Sequence, residues 1–285
     1  MTALKLFVAK IVYSKKDAAG GNIARILKEK RGFSPRPLLK ENGEEFLCWG
    51  NSFHSLIEIN TPLLEADWLS RFPKTFSCEL LVFASKHESE KKLPCLTAHA
   101  TGNFGEPESA EGKNFGGTTS TLSKTSANAL RAALDFLRGN PVPGFVVSRE
   151  ATHHGPTNLS WPSLFVEVGS SPTEWQDELA CRAVADAVLA SANHSLARKA
   201  AIGFGGPHYC PAFNEYEAEN GEFAFSHICS KYSLESLNEA LFNQMIEKTI
   251  EPVEFAFIDC KGTRKAYKDK ICEWAERKNI EIEKI

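Results

Sequence analysis

Several signatures that would fix a function at once are missing from this chain. The eight cysteines (Cys48, Cys78, Cys95, Cys181, Cys210, Cys229, Cys260 and Cys272) are scattered, and the nearest two, Cys260 and Cys272, stand twelve residues apart. With no Cys-x-x-Cys, a zinc ribbon or a thioredoxin-like motif is disfavoured. There is no His-Glu-x-x-His to place a zinc site on one helix. There is no Gly-x-Ser-x-Gly turn to expose a serine nucleophile, and no cysteine context marks a thiolate; Cys210, beside His208, is the outside candidate. No apolar run approaches the ~18 residues of a membrane span. The N-terminal residues, Met1 to Lys10, read as a first strand rather than a secretory signal. The net charge is only −3, so no overall basic excess marks a nucleic-acid binder. The lysine clusters at 15–16, 28–31 and 261–270 read first as solvated faces, with a local basic surface as the alternative.

What is present suits a globular α/β protein. Hydrophobic residues make up 42% and charged residues 24% of 285, an ordinary balance, and a chain of this length buries a large core without staples. Scattered cysteines without a secretory signal fit a reducing, cytoplasmic compartment and mostly read as small buried hydrophobes. The whole chain, residues 1–285, is expected to form one domain, and no internal repeat interrupts it.

Apolar runs predict strands at Leu4 to Tyr13, Phe46 to Trp49, Ser55 to Ile59, Glu79 to Ala84 and Leu96 to Ala100. Between them, Asp17 precedes a helix carrying Ile23, Ile26 and Leu27, and Leu63 to Phe72 reads as a short helix. Lys86 to Lys92 reads as a charged loop. Residues 101 to 121, rich in Gly, Ser and Thr, read as a long surface loop, a place where function often sits. Thr125 to Arg138 has a helical apolar face and is stopped by Gly139-Asn140-Pro141. Ser171-Pro172-Thr173-Glu174 has the pattern of an N-cap opening a helix to about Ala192. Strands then alternate with helices: Lys199 to Phe204, Glu222 to Phe225, a helix capped by Ser233 and running to about Thr249, Val253 to Ile258, a helix with Tyr267, Ile271 and Trp274 on one face, and Ile280 to Ile282. This alternation predicts a three-layer α/β/α sandwich.

In such folds ligands collect at the carboxyl ends of strands. Five of the eight histidines, His99, His153, His154, His208 and His227, fall at or just after expected strand ends, and this is the main functional signal. Its centre is Glu150-Ala151-Thr152-His153-His154-Gly155-Pro156. Neighbouring histidines on a strand point to opposite faces, so both reach one site only if the backbone leaves the strand here. Glu167 lies inside the apolar run Ser163 to Gly169, where an unpaired charge is costly, so it is expected to have a partner. His54, His87 and His194 read as surface or core residues.

Three chemistries fit these residues. In the first, His and Glu side chains hold a metal that activates water, with carboxylates orienting the imidazoles. In the second, His99 or His154 is a general base without a metal, and backbone N–H groups of Gly102-Asn103 or Gly205-Gly206 stabilise the oxyanion. In the third, the loops bind a phosphate or an RNA end without chemistry.

Read together, five segments resemble the archaeal and plant-type D-aminoacyl-tRNA deacylases. They are His99-Ala100-Thr101-Gly102-Asn103, Glu150 to Pro156, Glu167-Val168-Gly169-Ser170-Ser171 with Trp175, Gly203 to Tyr209, and Gly221 to His227. Asp259-Cys260-Lys261-Gly262 is similar as well. The resemblance covers most of the chain, and Thr-His-His-Gly-Pro and Gly-Gly-x-His-Tyr are its most specific parts. In one departure, the family's His-Thr-Pro-Gly-Asn stands here as His-Ala-Thr-Gly-Asn, which bears on local backbone shape more than on chemistry. The resemblance implies a phosphorylase/hydrolase-like α/β/α sandwich with a mixed sheet and a zinc-dependent hydrolase. Its substrate would be the ester between a D-amino acid and the terminal adenosine of tRNA. On this chain it implies His154, His99 and Glu167 as catalytic residues, and His153, His208, His227 and Glu150 as the metal ligands. Gly102, Asn103, Gly205, Gly206, Tyr209 and Lys261 would meet the tRNA acceptor end. Phe104, Phe115 and Tyr209 are candidates to stack its bases. No membrane and no obligate protein partner is implied. The alternatives are a metal-independent esterase on a related ester such as peptidyl-tRNA, and a non-catalytic RNA-end binder.

Overall fold

The computed structural model describes residues 9–41, 44–71, 78–106, 115–195 and 197–285. The start of the expected first strand, Phe72, and residues 107–114 of the expected long loop lie outside them. In chain order the elements are β1 (Ala9–Ser14), α1 (Ala18–Lys30), β2 (Ser34–Pro35), β3 (Leu39–Glu41), β4 (Glu44–Phe46), β5 (Cys48–Gly50), β6 (Ser55–Ile59), a 3-10 helix (Leu63–Arg71), β7 (Leu80–Glu88), β8 (Cys95–His99), β9 (Gly102–Asn103) and β10 (Thr121–Leu122). Then follow α2 (Ala127–Gly139), β11 (Val146–Arg149), β12 (Ser163–Ser170), α3 (Glu178–Ala192), β13 (Lys199–Phe204), α4 (Pro211–Glu219), β14 (Phe223–Cys229), α5 (Glu239–Glu247), β15 (Val253–Ile258), α6 (Lys265–Arg277) and β16 (Glu281–Lys284).

The α/β class and the large mixed sheet agree with the sequence reading. Eight strands form that sheet in the order β11-β8-β12-β7-β1-β6-β5-β2. β12 runs parallel to β7 and antiparallel to β8. A second sheet was not legible: the last third of the chain builds its own four-stranded parallel sheet, β14-β13-β15-β16. α2 packs on both, with Leu130, Leu134 and Leu137 in the core of the large sheet and Ala127 in the core of the small one.

Side-chain alternation divides the large sheet into two faces. Even-numbered residues of β7, β8 and β12 (Val82, Ala84, Leu96, Ala98, Leu164, Val166 and Val168) pack under α1, α2 and α3. Odd-numbered Phe83 and Phe165 point the other way, stacked at 4.6 Å between ring centroids, in a core with the 3-10 helix residues Leu63, Ala66 and Leu69. Burying each such ring is worth about 1.5–3 kcal/mol.

Two expected caps are replaced. Ser171 does not open the long helix; a short 3-10 turn at Glu174–Gln176 intervenes, and Asp177 caps α3 by accepting the Ala180 N–H at 2.8 Å. Ser233 lies in a turn, and Asn238 caps α5 through the Leu241 N–H at 3.0 Å. Both true caps sit at the base of the first helical turn, where a carboxylate or amide oxygen meets free N–H groups. Asp17, expected just ahead of this helix, caps α1 by accepting from the Gly20 N–H at 2.7 Å.

Candidate active site

The odd face of the large sheet carries the site. In register, Glu167 on β12 lies between Ser85 on β7 and Thr97 on β8; Phe165 pairs with His99, and Gly169 with His87. All point to the same side, because neighbours in register share a face. This explains why an acid stands in the apolar run 163–169: its apolar neighbours Val166 and Val168 face the helices, and Glu167 does not. Ser85 donates to Glu167 Oε1. His99 Nε2 lies 3.6 Å and His87 Nδ1 3.4 Å from Glu167 Oε2.

The sequence reading left His87 out, and the structure places it in the centre. The expected strand ended at Ala84, ahead of a charged loop. β7 instead runs on to Glu88, parallel to β12 along its whole length, so His87 keeps the parity of Phe83 and Ser85. Its Nδ1 lies 3.2 Å from Glu150 Oε1, and its Nε2 is 2.8 Å from the Tyr209 hydroxyl. The Trp175 indole N–H donates to the His87 carbonyl at 2.9 Å. The missed signal was the alternation Phe83, Ser85, His87 continuing through the charges.

Glu150 follows β11 and is buried. Its Oε2 lies 2.7 Å from His208 Nε2 and 3.5 Å from His153 Nε2. His153 pairs in a single bridge with Thr101, and His154 adopts φ +44°, outside the strand region. The backbone therefore leaves the strand at this pair, as both histidines facing one site requires. Their ring centroids lie 4.4 Å apart, and His99 is 4.1 Å from His153 and 4.8 Å from His154.

Three imidazoles share one arrangement. The Nδ1 of His99 meets the Ala100 carbonyl at 3.1 Å, that of His153 the Ala151 carbonyl at 2.8 Å, and that of His154 the Gly155 carbonyl at 2.6 Å. A carbonyl only accepts, so each Nδ1 carries a proton, and the rings of His153 and His154, held neutral, present the lone pair of Nε2. The Nε2 of His99 is buried and, among the described residues, makes no hydrogen bond.

The charges of this cluster shift one another. Burial alone would raise both carboxyls. His87, His208 and His99 outweigh it at Glu150 and hold that group at about 2; His87 and His99 do the same at Glu167, which falls well below the usual range. Burial pulls His87 down, but Glu150 and Glu167 beside it hold it at about 9. His99 is also raised, Glu167 outweighing burial. Burial and then the neighbouring imidazoles lower His153 well below its ordinary value and His154 to about 4.

A cleft of about 900 Å³ opens onto this cluster. His87, His153, His154, His208 and Glu167 line its polar side; Leu63, Leu64, Phe104, Phe115 and Phe165 line its apolar side. His99 and Glu150 stand behind the lining, fully buried. Three overlapping groups have donor atoms all within 4.8 Å of one another: His99, His153 and His154; Glu150, His153 and His208; and His87, Glu150 and Glu167.

The other expected site residues divide between the cleft and its surroundings. β14 extends to Cys229, so His227 is inside the strand rather than at its exit. It is buried, its Nδ1 is 3.2 Å from Thr152 Oγ1, and burial lowers it to about 3; none of the three donor groups includes it. Gly102 and Asn103 line the cleft. The Gly102 N–H is already donated to the His154 carbonyl at 2.8 Å, and the Asn103 amide holds the Gly116 carbonyl at 2.8 Å. Gly205 and Gly206 are buried in a turn braced by Cys229 and Lys231, with the Gly205 N–H donated to the Cys229 carbonyl at 2.8 Å. The expected oxyanion donors Gly102 and Gly205 are thus already spent within the backbone. Lys261 is exposed, its N–H on Asp259, and it does not line the cleft. Tyr209 holds His87. Cys210 is buried, and burial pushes its thiol beyond reach of ionisation near neutral pH.

The model of the D-aminoacyl-tRNA deacylase family matches residues 74–283, which hold every member of this cluster. The chain belongs to that family. A D-aminoacyl-tRNA deacylase of Thermococcus kodakarensis is 34% identical, covering 89% of this chain and 91% of the relative. That of Pyrococcus furiosus is 32% identical over 95% and 98%, and that of Methanosarcina acetivorans 32% identical over 95% and 90%. Among solved structures, the conserved protein of unknown function AF0625 superposes with a TM-score of 0.86 at 30% identity, covering 97% of this chain and 95% of the other. The family match takes in the whole of β7, so its span covers His87 as well as the central Thr152-His153-His154 run.

Proposed function

We propose that this chain hydrolyses the ester joining a D-amino acid to the 3′-terminal adenosine of tRNA, releasing both, with zinc held in the histidine–glutamate cluster. The observation that carries this reading is the set of imidazoles locked at Nδ1 by backbone carbonyls, with Nε2 converging beside two buried carboxylates on one cleft. Family membership supplies the substrate class. The eight cysteines, all unpaired and half-buried or buried, support a reducing, cytoplasmic setting.

The donors fit a catalytic zinc site. Two imidazoles and a carboxylate, His153, His208 and Glu150, are the donor types of sites that keep a position open for water. His153 has the fixed tautomer a ligand needs. When bound there, zinc would polarise the ester carbonyl and make water a nucleophile near neutral pH. The remaining residues handle protons and position. His154 lines the cleft with a neutral Nε2. As the water oxygen bonds to the carbonyl carbon, the water proton passes to His154 Nε2; as the ester C–O bond breaks, the same proton passes to the departing 3′-oxygen. Glu167 and His87 form a charged pair that keeps the cleft floor rigid. His99, behind the lining, orients His153 and His154 through ring contact. The apolar wall seats the amino-acid side chain or the adenine and excludes water.

Release of tyrosine from D-tyrosyl-tRNA, beside L-tyrosyl-tRNA, tests the reading. D-selective release is expected, and His154→Ala should lower it at least ~100-fold, the scale of a lost acid–base group, with the fold intact by circular dichroism. Near-normal turnover in that variant would remove His154 from the site, and no release by the wild-type protein would overturn the substrate.

A further inference from the structure

The turn after β14 carries an exposed aromatic side chain that no part of the cluster uses. Tyr232 is the most exposed of the large hydrophobic side chains among the described residues, at 70%. The next residue, Ser233, lines the cleft. The turn is braced on both sides. The Lys231 N–H donates to the Gly206 carbonyl at 2.8 Å, the Ser233 N–H to the Ser230 carbonyl at 2.9 Å, and the Ser236 N–H to the Ser233 carbonyl at 3.1 Å. Leu234 is buried beneath it in the core of the small sheet. It also abuts the cleft-lining loop: a Cβ on Gly105 would lie 3.0 Å from Ser236 Oγ. Lys231 Nζ sits 5.0 Å from the Tyr232 ring centroid, and among the described residues no carboxylate pairs with it.

A solvent-facing ring on a braced turn, with an ammonium beside it that no carboxylate among the described residues pairs, at the rim of a cleft, suits a single-stranded nucleic acid. Every base offers a face to stack, and every nucleotide brings a phosphate. We propose that Tyr232 and Lys231 bind the nucleotide preceding the esterified adenosine, Tyr232 stacking its base and Lys231 meeting its phosphate. This rests on the deacylase reading, which puts the ester bond in the cleft; the chain 5′ to it then leaves over Ser233. The site reads stacking and charge, so it takes any base.

Two substrates separate the track from the chemistry: D-tyrosyl-tRNA, and 3′-O-D-tyrosyl-adenosine, which ends where the track begins. Tyr232→Ala is expected to raise KM for the tRNA about tenfold, the scale of one lost base stack. It should leave kcat on tRNA and kcat/KM on the adenosine ester within twofold. Tyr232→Phe, which keeps the ring, should restore KM. Lys231→Ala should reduce the slope of log(kcat/KM) for tRNA against log salt by about 0.7, the share of one single-strand phosphate. Glu235→Ala, on the same turn, removes a charge without touching ring or ammonium and should not raise KM. An unchanged KM for tRNA in Tyr232→Ala, or an equal loss on both substrates, overturns the track while leaving the deacylase reading intact. A wild-type protein inert on both esters sinks that reading, and the track with it.

Discussion

Gly169 has no side chain, and the His87 ring occupies the space one would fill. A Cβ there would lie 2.7 Å from His87 Cδ2 and 2.8 Å from His87 Cβ, closer than a side chain tolerates. Gly169→Ala should therefore push His87 from between its carboxylates and cost about 1–3 kcal/mol of stability, as small-to-large changes in packed sites do. Urea unfolding reads the stability, and tyrosine release should fall by more than that loss explains. A variant of ordinary activity would show that His87 need not stay where it lies. A second residue makes a pH prediction. His227 is wholly buried and held neutral, with a folded pKa of about 3 against 6.5 for an exposed imidazole. Below about pH 6.5 the unfolded chain takes up a proton that the folded chain refuses. Stability should thus fall as pH drops toward 3, by up to about 1.4 kcal/mol per pH unit from this group. Urea unfolding of the wild type and His227→Asn at pH 7 and pH 4 checks this: the variant should lose less stability between the two, and equal losses would contradict it. At this scale the sequence showed much. His99, His153, His154 and His208 were identifiable as histidines at or just after strand ends, Glu150 as the acid beside them, and Glu167 as a charge inside an apolar run. His87 was hidden because strand length, not residue type, decides whether it reaches the site.

Among the elements, α4 and β11 are tied by a buried ion pair: Arg149 and Glu217 meet at 2.7 Å, and both side chains are inaccessible. Breaking such a pair leaves a buried charge, at a cost of about 3–5 kcal/mol. Next to it, Asn214 joins the two loops that supply Glu150 and His208. Its Oδ1 accepts from the Arg149 N–H at 2.8 Å and from Arg138 at 2.9 Å, and its Nδ2 donates to the Tyr209 carbonyl at 2.8 Å. Asn214→Ala should destabilise the protein by about 1–3 kcal/mol and weaken the zinc binding proposed above, because the 2.7 Å approach of His208 to Glu150 depends on both loops. Zinc retention under competing chelator measures this; wild-type retention would mean the loops hold themselves. None of this was legible beforehand, since an Arg–Glu–Asn contact across separate elements leaves no local pattern. Helix positions were clearer than helix starts. Asp177 and Asn238 lie six and five residues beyond the expected caps Ser171 and Ser233 and win because their side chains reach free N–H groups there.

The whole molecule joins an eight-stranded mixed sheet, whose face carries the cluster, to a four-stranded parallel sheet, whose loops supply His208 and the Ser233 rim. The alternation of strands and helices made the α/β class readable, but which strands pair is set by contacts distant in sequence, so the division into two sheets was not. Among the described residues no helix is long and apolar enough to cross a membrane. The proposed chemistry sits at the meeting of the two sheets, and it depends on the histidine–glutamate cluster holding zinc. The most direct measurement is D-tyrosine release from D-tyrosyl-tRNA after chelator treatment and again after zinc is returned. Release is expected to stop with the chelator and recover with zinc, with the protein folded throughout. Release indifferent to the chelator, from protein verified to be zinc-free, would contradict it.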